Sequence, residues 1–409
     1  MPDLFLKAAL MNEYLLISDF TYIIDTLFVL FSMTLIILMV PGFAMLEAGL
    51  VRTKNVSTVL TVNTMIYAVA SMAFLLIGYN FAFGSWENSS LSMYAAFMFQ
   101  MAFVGKTINI MSGGVSERAR IIPLTLFTVV MGAFIYPTVV NITWGANFLE
   151  GTALALSMYD LAGSTVIHST GGWALLAAIL IMGSRKGRYL NGKVRVIPAS
   201  NIPLVVLGAF LLWIGWFGFN GGSVGSITTK EGADAVALTI MNTNTAGLAG
   251  AIIAGLIMYI RYRKFDITMI LNGALGGLVA VTAGPDLYTV YQPIFIGLIG
   301  GGLVVFAVPI FDKLRIDDPV GALSVHLING IWGTLAVGIF AANPEEGITF
   351  MGQLKGVLVV GVFAFVSSFV IIYLINLVFK FRASDEEQMK GLDIDECGLE
   401  AYPEHQRSI

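Results

Sequence analysis

DLAGSTVIHSTGGW, from Asp160 to Trp173, and DPVGALSVHLINGIW, from Asp318 to Trp332, are two versions of one pattern. Each has Asp, then Gly three residues on, His eight on and Gly twelve on: Asp160, Gly163, His168 and Gly172 against Asp318, Gly321, His326 and Gly330. The whole chain holds 3 histidines, so a match in register that uses two of them is not expected by chance. A weaker echo links GFAMLEAG from Gly42 with GWFGFNGG from Gly215, where glycines seven apart enclose Glu47 or Asn220 at the same offset. The chain is therefore read as two related halves, each carrying one histidine deep in an apolar run.

The surroundings say what kind of run this is. Of 409 residues 57% are apolar and 12% charged, about half the usual charged share of a soluble domain. Mostly apolar stretches lie near 22–50, 55–79, 91–112, 119–141, 161–184, 198–219, 234–260, 265–283, 291–311, 319–342 and 350–380. At about 1.5 Å per helical residue, each is long enough to cross a hydrocarbon layer of about 30 Å. The runs are continuous rather than alternating, which selects helices over a barrel, because backbone facing lipid must satisfy its hydrogen bonds internally. The expected fold is an all-α polytopic membrane protein with eleven transmembrane helices. The repeat groups ten of them five and five, over about 22–184 and 198–342. Five is odd, so the second half enters the membrane from the opposite side, an inverted repeat with its pseudo-two-fold axis in the membrane plane. The run near 350–380 is an extra helix. A transmembrane domain over 1–383 and a C-terminal tail over 384–409 follow.

Charge sets orientation and removes several partners. Arg52 and Lys54, Arg118 and Arg120, the cluster from Arg185 to Arg195, Arg261 to Lys264, and Lys313 with Arg315 fall in alternate loops. The other loops hold Lys230 and Lys355 and are otherwise acidic, with Glu87, Glu150, Asp286, Glu345 and Glu346. Short cytoplasmic loops carry the excess of Lys and Arg, so the N-terminus is expected outside and the C-terminus in the cytosol of a multi-pass cell-membrane protein. The first apolar run is too long for a signal-peptide core, and no cleaved signal is expected. A net charge of -4 without a long basic run argues against nucleic acid. The single Cys397 rules out an internal disulfide or a cysteine metal site. No phosphate-cradling loop precedes a Lys, and no Ser-His-Asp, Cys-His or metal-ligand arrangement is present, so enzymatic and ATP-driven classes lose their support and no cofactor or metal is expected.

His168 and His326 should meet near the centre through the pseudo-symmetry, at a depth where a polar side chain is expensive and faces a cavity or a partner. Three readings stay open: a hydrogen-bonded pair that packs helices, two axial haem ligands, or a pore lining that handles a small polar solute and its protons. Asp160 and Asp318 suit N-caps, with Pro319 at the first helical position, and Asp160 could also bias the approach of a cation. Phe103, Trp144, Trp216, Phe217 and Phe219 fall at or near the outer ends of runs. An interfacial aromatic belt accounts for each singly. The alternative is that, together with Ser223, they form a cup whose ring faces attract a cation and whose hydroxyl accepts a hydrogen bond, and composition alone does not choose between the two. Glycines four apart, Gly273 with Gly277 and Gly297 with Gly301, should let helices approach closely.

With MVPGFAMLEAGLVRTKN from Met39, FQMAF, GGVSERAR, DLAGSTVIHSTGG, GWFGFNGGS, DDPVGALSVHLINGIWGTLAVGIF and KGLDIDECGLEAY, nearly the whole chain resembles the Amt/Mep/Rh family of ammonium transporters. By that resemblance His168 and His326 are the paired pore histidines, Phe103 and Phe219 a stacked phenylalanine gate, and Phe103, Trp144 and Ser223 an outer ammonium recruitment site. Asp160 and Trp216 match positions near the recruitment region and the pore. The resemblance also implies a homotrimer with one pore per subunit, methylammonium as a substrate analogue, and a cytosolic PII signalling protein as partner. Some members carry a further acid shortly after the DDP motif, where this chain has Val320 and Gly321. The family includes ammonium sensors, so a receptor without substantial flux is the alternative function.

Overall fold

The computed structural model describes residues 2–86 and 90–403, with side chains from Ile17 onward. Glu87, counted above among the acidic loop residues, and tail residues 404–409 lie outside the described residues.

Helix α1 (Pro2–Ile37) gives way at Leu38 to α2 (Met39–Leu50). The break has a chemical cause: Pro41 offers no N–H to the Ile37 carbonyl, and its ring crowds that carbonyl. Helix α3 (Val56–Ala73) passes through a π-helical turn, Phe74–Gly78, into α4 (Tyr79–Phe83), and α5 (Met93–Val115) follows. Helix α6 (Ile121–Val130) passes through a second π turn, Met131–Ile135, into α7 (Tyr136–Thr143). Here Pro137 withholds the N–H that would close on Ala133, and the ladder absorbs an extra residue. The π turn Ser164–Ser169 opens α8 (Thr170–Met182), and a two-residue hairpin, β1 (Tyr189–Leu190) with β2 (Lys193–Val194), leads to the second half. That half holds α9 (Ile202–Ser223), α10 (Lys230–Tyr262), α11 (Ile267–Val281), α12 (Gln292–Lys313), the π turn Leu323–Ile328 and α13 (Asn329–Phe340). Helix α14 (Phe350–Val378) precedes a tail with α15 (Asp385–Lys390) and a last π turn, Asp393–Cys397.

Among the described residues nine helices are long and apolar enough to cross a membrane. The other two expected runs are helical but fall outside that count. Helix α11 has 15 residues, and the 23-residue α5 carries the buried polar side chains Lys106, Asn109 and Ser112. The first expected run, near 22–50, lies within the span that α1 and α2 form together.

The glycine echo is a packing seam. A Cβ on Gly42 would meet Leu212 at 3.1 Å, and one on Gly215 would press on Met39, so α2 and α9 run against each other in opposite directions. Gly273 and Gly301 press on Gly250 and Gly277 on Ala246, as their spacing predicts. The tail folds back under the bundle. The Asp393 carboxylate accepts from Ser57 N–H at 3.0 Å and Thr58 N–H at 2.8 Å, at the start of α3. The Glu396 carboxylate accepts from Ile121 N–H at 3.0 Å, at the start of α6.

Candidate functional site

Each histidine is positioned by the same local device. The Asp160 carboxylate accepts four backbone N–H groups: Gly163 and Ser164 at 2.9 and 2.8 Å on one oxygen, Thr165 and Val166 at 2.8 and 3.0 Å on the other. The Asp318 carboxylate accepts from Val320, Gly321 and Leu323 at 3.3, 3.0 and 2.7 Å. Gly163 and Gly321 turn the chain at φ 108° and 82°, a region other residues enter only with strain. The π turns then begin, and each aims its histidine inward. Pro319 does not take the first helical position, because the turn at Gly321 intervenes and Asp318 reaches forward across it. Asp160 is 5% exposed, and both its oxygens face backbone amides rather than a cavity.

The two histidines meet. Their Nδ1 atoms are 3.1 Å apart, and the rings stack at 5.1 Å with 14° between planes. A contact between two Nδ1 atoms needs one donor and one acceptor, so the neutral rings hold opposite tautomers. A haem held axially by both residues would have to lie between the two rings, and rings stacked at 5.1 Å with their Nδ1 atoms 3.1 Å apart leave no room for the macrocycle, which removes the haem reading. His168 also stacks on Trp216 at 5.2 Å and Phe219 at 5.5 Å, and Trp216 Nε1 donates to Thr282 Oγ1 at 3.0 Å. Phe43 lies 6.0 Å from His326 on the far side.

The aromatic residues separate into groups. Phe103 and Phe219 touch at 4.6 Å with 87° between planes, edge to face rather than stacked as the resemblance implies. Phe103, Trp216 and Phe219 are buried, so the belt reading fails for them. Phe217 leaves the cup and lines a separate apolar groove with Phe210 and Trp213. Trp144 is partly exposed, 6.4 Å from Phe103, and its Nε1 donates to the Asp160 carbonyl at 2.7 Å, which fixes the ring. Ser223 Oγ donates to the Phe219 carbonyl at 2.8 Å, leaving its lone pairs free. Phe103, Trp144 and Ser223 line one cavity of about 540 Å³ with Tyr79 and Gln100. The structure thus brings Phe103, Trp144 and Ser223 of the expected cup together, while Phe217 turns to the separate groove and Phe219 and Trp216 are fully buried.

A small void of about 20 Å³ lies beyond His326, lined by Phe43, Glu47, Asn109, Asn272 and Val320. Glu47 entered the sequence reading only as an echo of Asn220, although an ionisable residue inside an apolar run is itself a signal. Asn109, Ser112 and the buried Lys106 were passed over for want of any repeat.

At the end of the bundle under the tail, Arg185 holds two acids. It reaches Asp317 at 2.9 Å and Glu117 at 3.0 Å, and Arg52 reaches Glu117 at 2.9 Å. Burial alone would raise the Asp317 carboxyl, but hydrogen bonds from Arg185 and the charges of Arg185 and Arg118 hold it well below the usual range. The same opposition, with Arg185 and Arg52 winning over burial, lowers Glu117.

The model of the Ammonium Transporter Family matches residues 27–402. The chain belongs to the ammonium transporter family. A putative ammonium transporter of Synechocystis is 36% identical, the match covering 93% of this chain and 90% of that protein. An ammonium transporter of Archaeoglobus fulgidus is 34% identical over 93% of this chain and 88% of its own length. Among solved structures, a sensor Amt protein superposes with a TM-score of 0.86 at 32% identity, covering 93% of this chain and 99% of that one. Mep2 of Saccharomyces cerevisiae follows at 0.78 and 27%, covering 88% of each. Membership together with the apolar helices makes this chain a multi-pass membrane protein of a transporter family.

Proposed function

We propose that the chain recruits ammonium at the cavity formed by Phe103, Trp144 and Ser223, removes a proton there, and passes ammonia along a pore lined by His168 and His326 while the proton travels separately along the pair. The hydrogen-bonded imidazoles, set between an open aromatic mouth and a small inner void, carry this reading. Ammonium is nearly the size of potassium, so selection rests on direction: an N–H donor meets the free lone pairs of Ser223, and the ring faces of Phe103 and Trp144 meet the charge. Moving an intact ion through an apolar lumen costs several kcal/mol or more. Leaving the proton behind removes most of that barrier. Imidazole suits the second half of the task because it donates and accepts near neutral pH, and the opposite tautomers allow a proton taken at one ring to emerge from the other. Phe103 and Phe219 close the passage above the pair, and Trp216 holds the His168 ring flat.

The wider reading is of a cell-membrane protein with the N-terminus outside, the tail cytosolic, residues 1–383 as the transport domain, and 384–409 as a regulatory segment. Three chains would assemble with one pore each, and a PII protein would dock on the basic face that the tail covers. An ammonium-jump current in proteoliposomes tests the core of this. A transient current with ammonium and methylammonium is expected, and binding without current would leave the receptor reading. The likeness to a sensor Amt protein is the observation that favours that second reading.

A further inference from the structure

Glu47 sits in α2 between two voids. It lines the space beyond His326, and it also lines a smaller one of about 10 Å³ with Thr58, Ser112, Ser116 and Glu117 toward the tail face. Its residue exposure is 1%. Asn63 Nδ2 donates to one carboxyl oxygen at 2.8 Å. The other oxygen is 2.8 Å from Ser112 Oγ, which is also 2.8 Å from the Asn109 carbonyl. A hydroxyl has one hydrogen and cannot satisfy both. With Glu47 ionised, Ser112 donates to it. With Glu47 protonated, the carboxyl donates to Ser112 and Ser112 donates to Asn109. Both protonation states therefore have a complete set of partners without any movement of heavy atoms.

The void above offers something to bind. Asn109 is 1% exposed and lines the space that Glu47 and His326 share, and its amide nitrogen and oxygen have no hydrogen-bond partner among the described residues. A buried amide left this way is expensive, and a void of about 20 Å³ is enough for one molecule the size of water or ammonia. The ionisable groups facing Glu47 are His326, Asp318 and Glu117.

We propose that Glu47 and Asn109 form a second binding site, beyond the histidine pair, where ammonia and the relayed proton recombine. This rests on the transport reading above. Ammonia in the void, with its nitrogen lone pair toward Glu47 and Asn109 Oδ1 accepting one of its N–H groups, takes the carboxyl proton. The O–H bond breaks, a fourth N–H bond forms, and ammonium stands beside a carboxylate that offsets its charge. The carboxylate regains a proton from the His326 imidazolium once the cation has left, so protons and charge balance over a cycle.

Glu47→Gln keeps the shape and can neither give a proton nor carry charge. In proteoliposomes its ammonium-jump current should fall at least about tenfold, since positioned acid–base groups contribute about 10² or more, while half-saturation at the mouth changes little. Infrared difference spectra on the purified protein should show a protonated carboxyl band that bleaches on adding ammonium chloride and is absent from the variant. Ser112→Ala, which retains the acid, should shift that band without abolishing the bleach. A wild-type band that ignores ammonium, or undiminished current in Glu47→Gln, overturns the site. Should the wild type carry no current, the transport reading fails, and the infrared bleach still decides whether Glu47 meets ammonium.

Discussion

One hydrogen lies between His168 and His326, and so neither ring works alone. His168→Ala and His326→Ala should each reduce proton-coupled ammonium current about as strongly as the double variant, because members of one relay are not additive. Wild-type currents in both would leave the pair as packing. His168→Glu should instead admit the intact cation by offsetting its desolvation, and ammonium selectivity over potassium, measured by bi-ionic currents, should fall. At the mouth, Ser223→Ala with Trp144→Leu removes an acceptor and a ring face together. A desolvated cation–π contact is worth about 2 kcal/mol, so the half-saturating ammonium concentration should rise at least about tenfold, and an unchanged value would place recruitment elsewhere. The histidines were legible because the repeat marks them twice. Phe103 and Trp144 were legible as residue types but not as depth, since a belt and a buried gate use the same rings. Glu47 and Asn109 were visible as letters, but their convergence depends on three helices meeting.

Among the elements, the tail and the loops above it are tied by charge. Glu117 and Asp317 have folded values below their unfolded ones of about 4, so the unfolded chain binds more protons in acid. Their contribution is fully present above that value and is lost as pH falls through the lowered folded values. Thermal unfolding in detergent should therefore drop steeply below about pH 4, and Asp317→Asn, already without its charge, should show a flatter profile. Asp393 caps α3 and Glu396 caps α6 from the same turn of tail. Asp393→Ala should cost about 1 kcal/mol locally and speed amide exchange at Ser57 and Thr58. Deleting 385–409 should do so at Ile121 as well and impair transport or its regulation, with the protein still in the membrane. Protected amides in the deletion would show that the tail does not hold these helix starts. Little of this could be read from sequence. The apolar runs located the helices, yet an inserted residue in a π turn leaves a helical pattern almost unaltered, and the break at Leu38 needed Pro41 weighed against Ile37. Asp25 is likewise silent in the sequence, although it is buried in the first span and accepts from Ile227 N–H at 2.8 Å.

For the whole molecule, the loop charges and the odd number of helices per half make one prediction: reporters at residues 5 and 405 should be found outside and inside respectively. Both on one side would remove the inverted arrangement. The crossing of the two halves was legible only as a glycine twelve residues after each Asp, with no hint of what it touches. A Cβ on Gly172 would come within 2.7 Å of Leu327 in the other half, while one on Gly330 would press on Ser164 and Ser169 in the first. Each half has thus surrendered a side chain to admit the backbone of its twin, at the level of the two imidazoles. Carriers that rock one repeat against the other need a surface along which to slide, and two interlocked notches give none. On the transport reading proposed above, substrate would then pass through a frame held at this crossing, and the two halves would not change shape independently at the point where they touch.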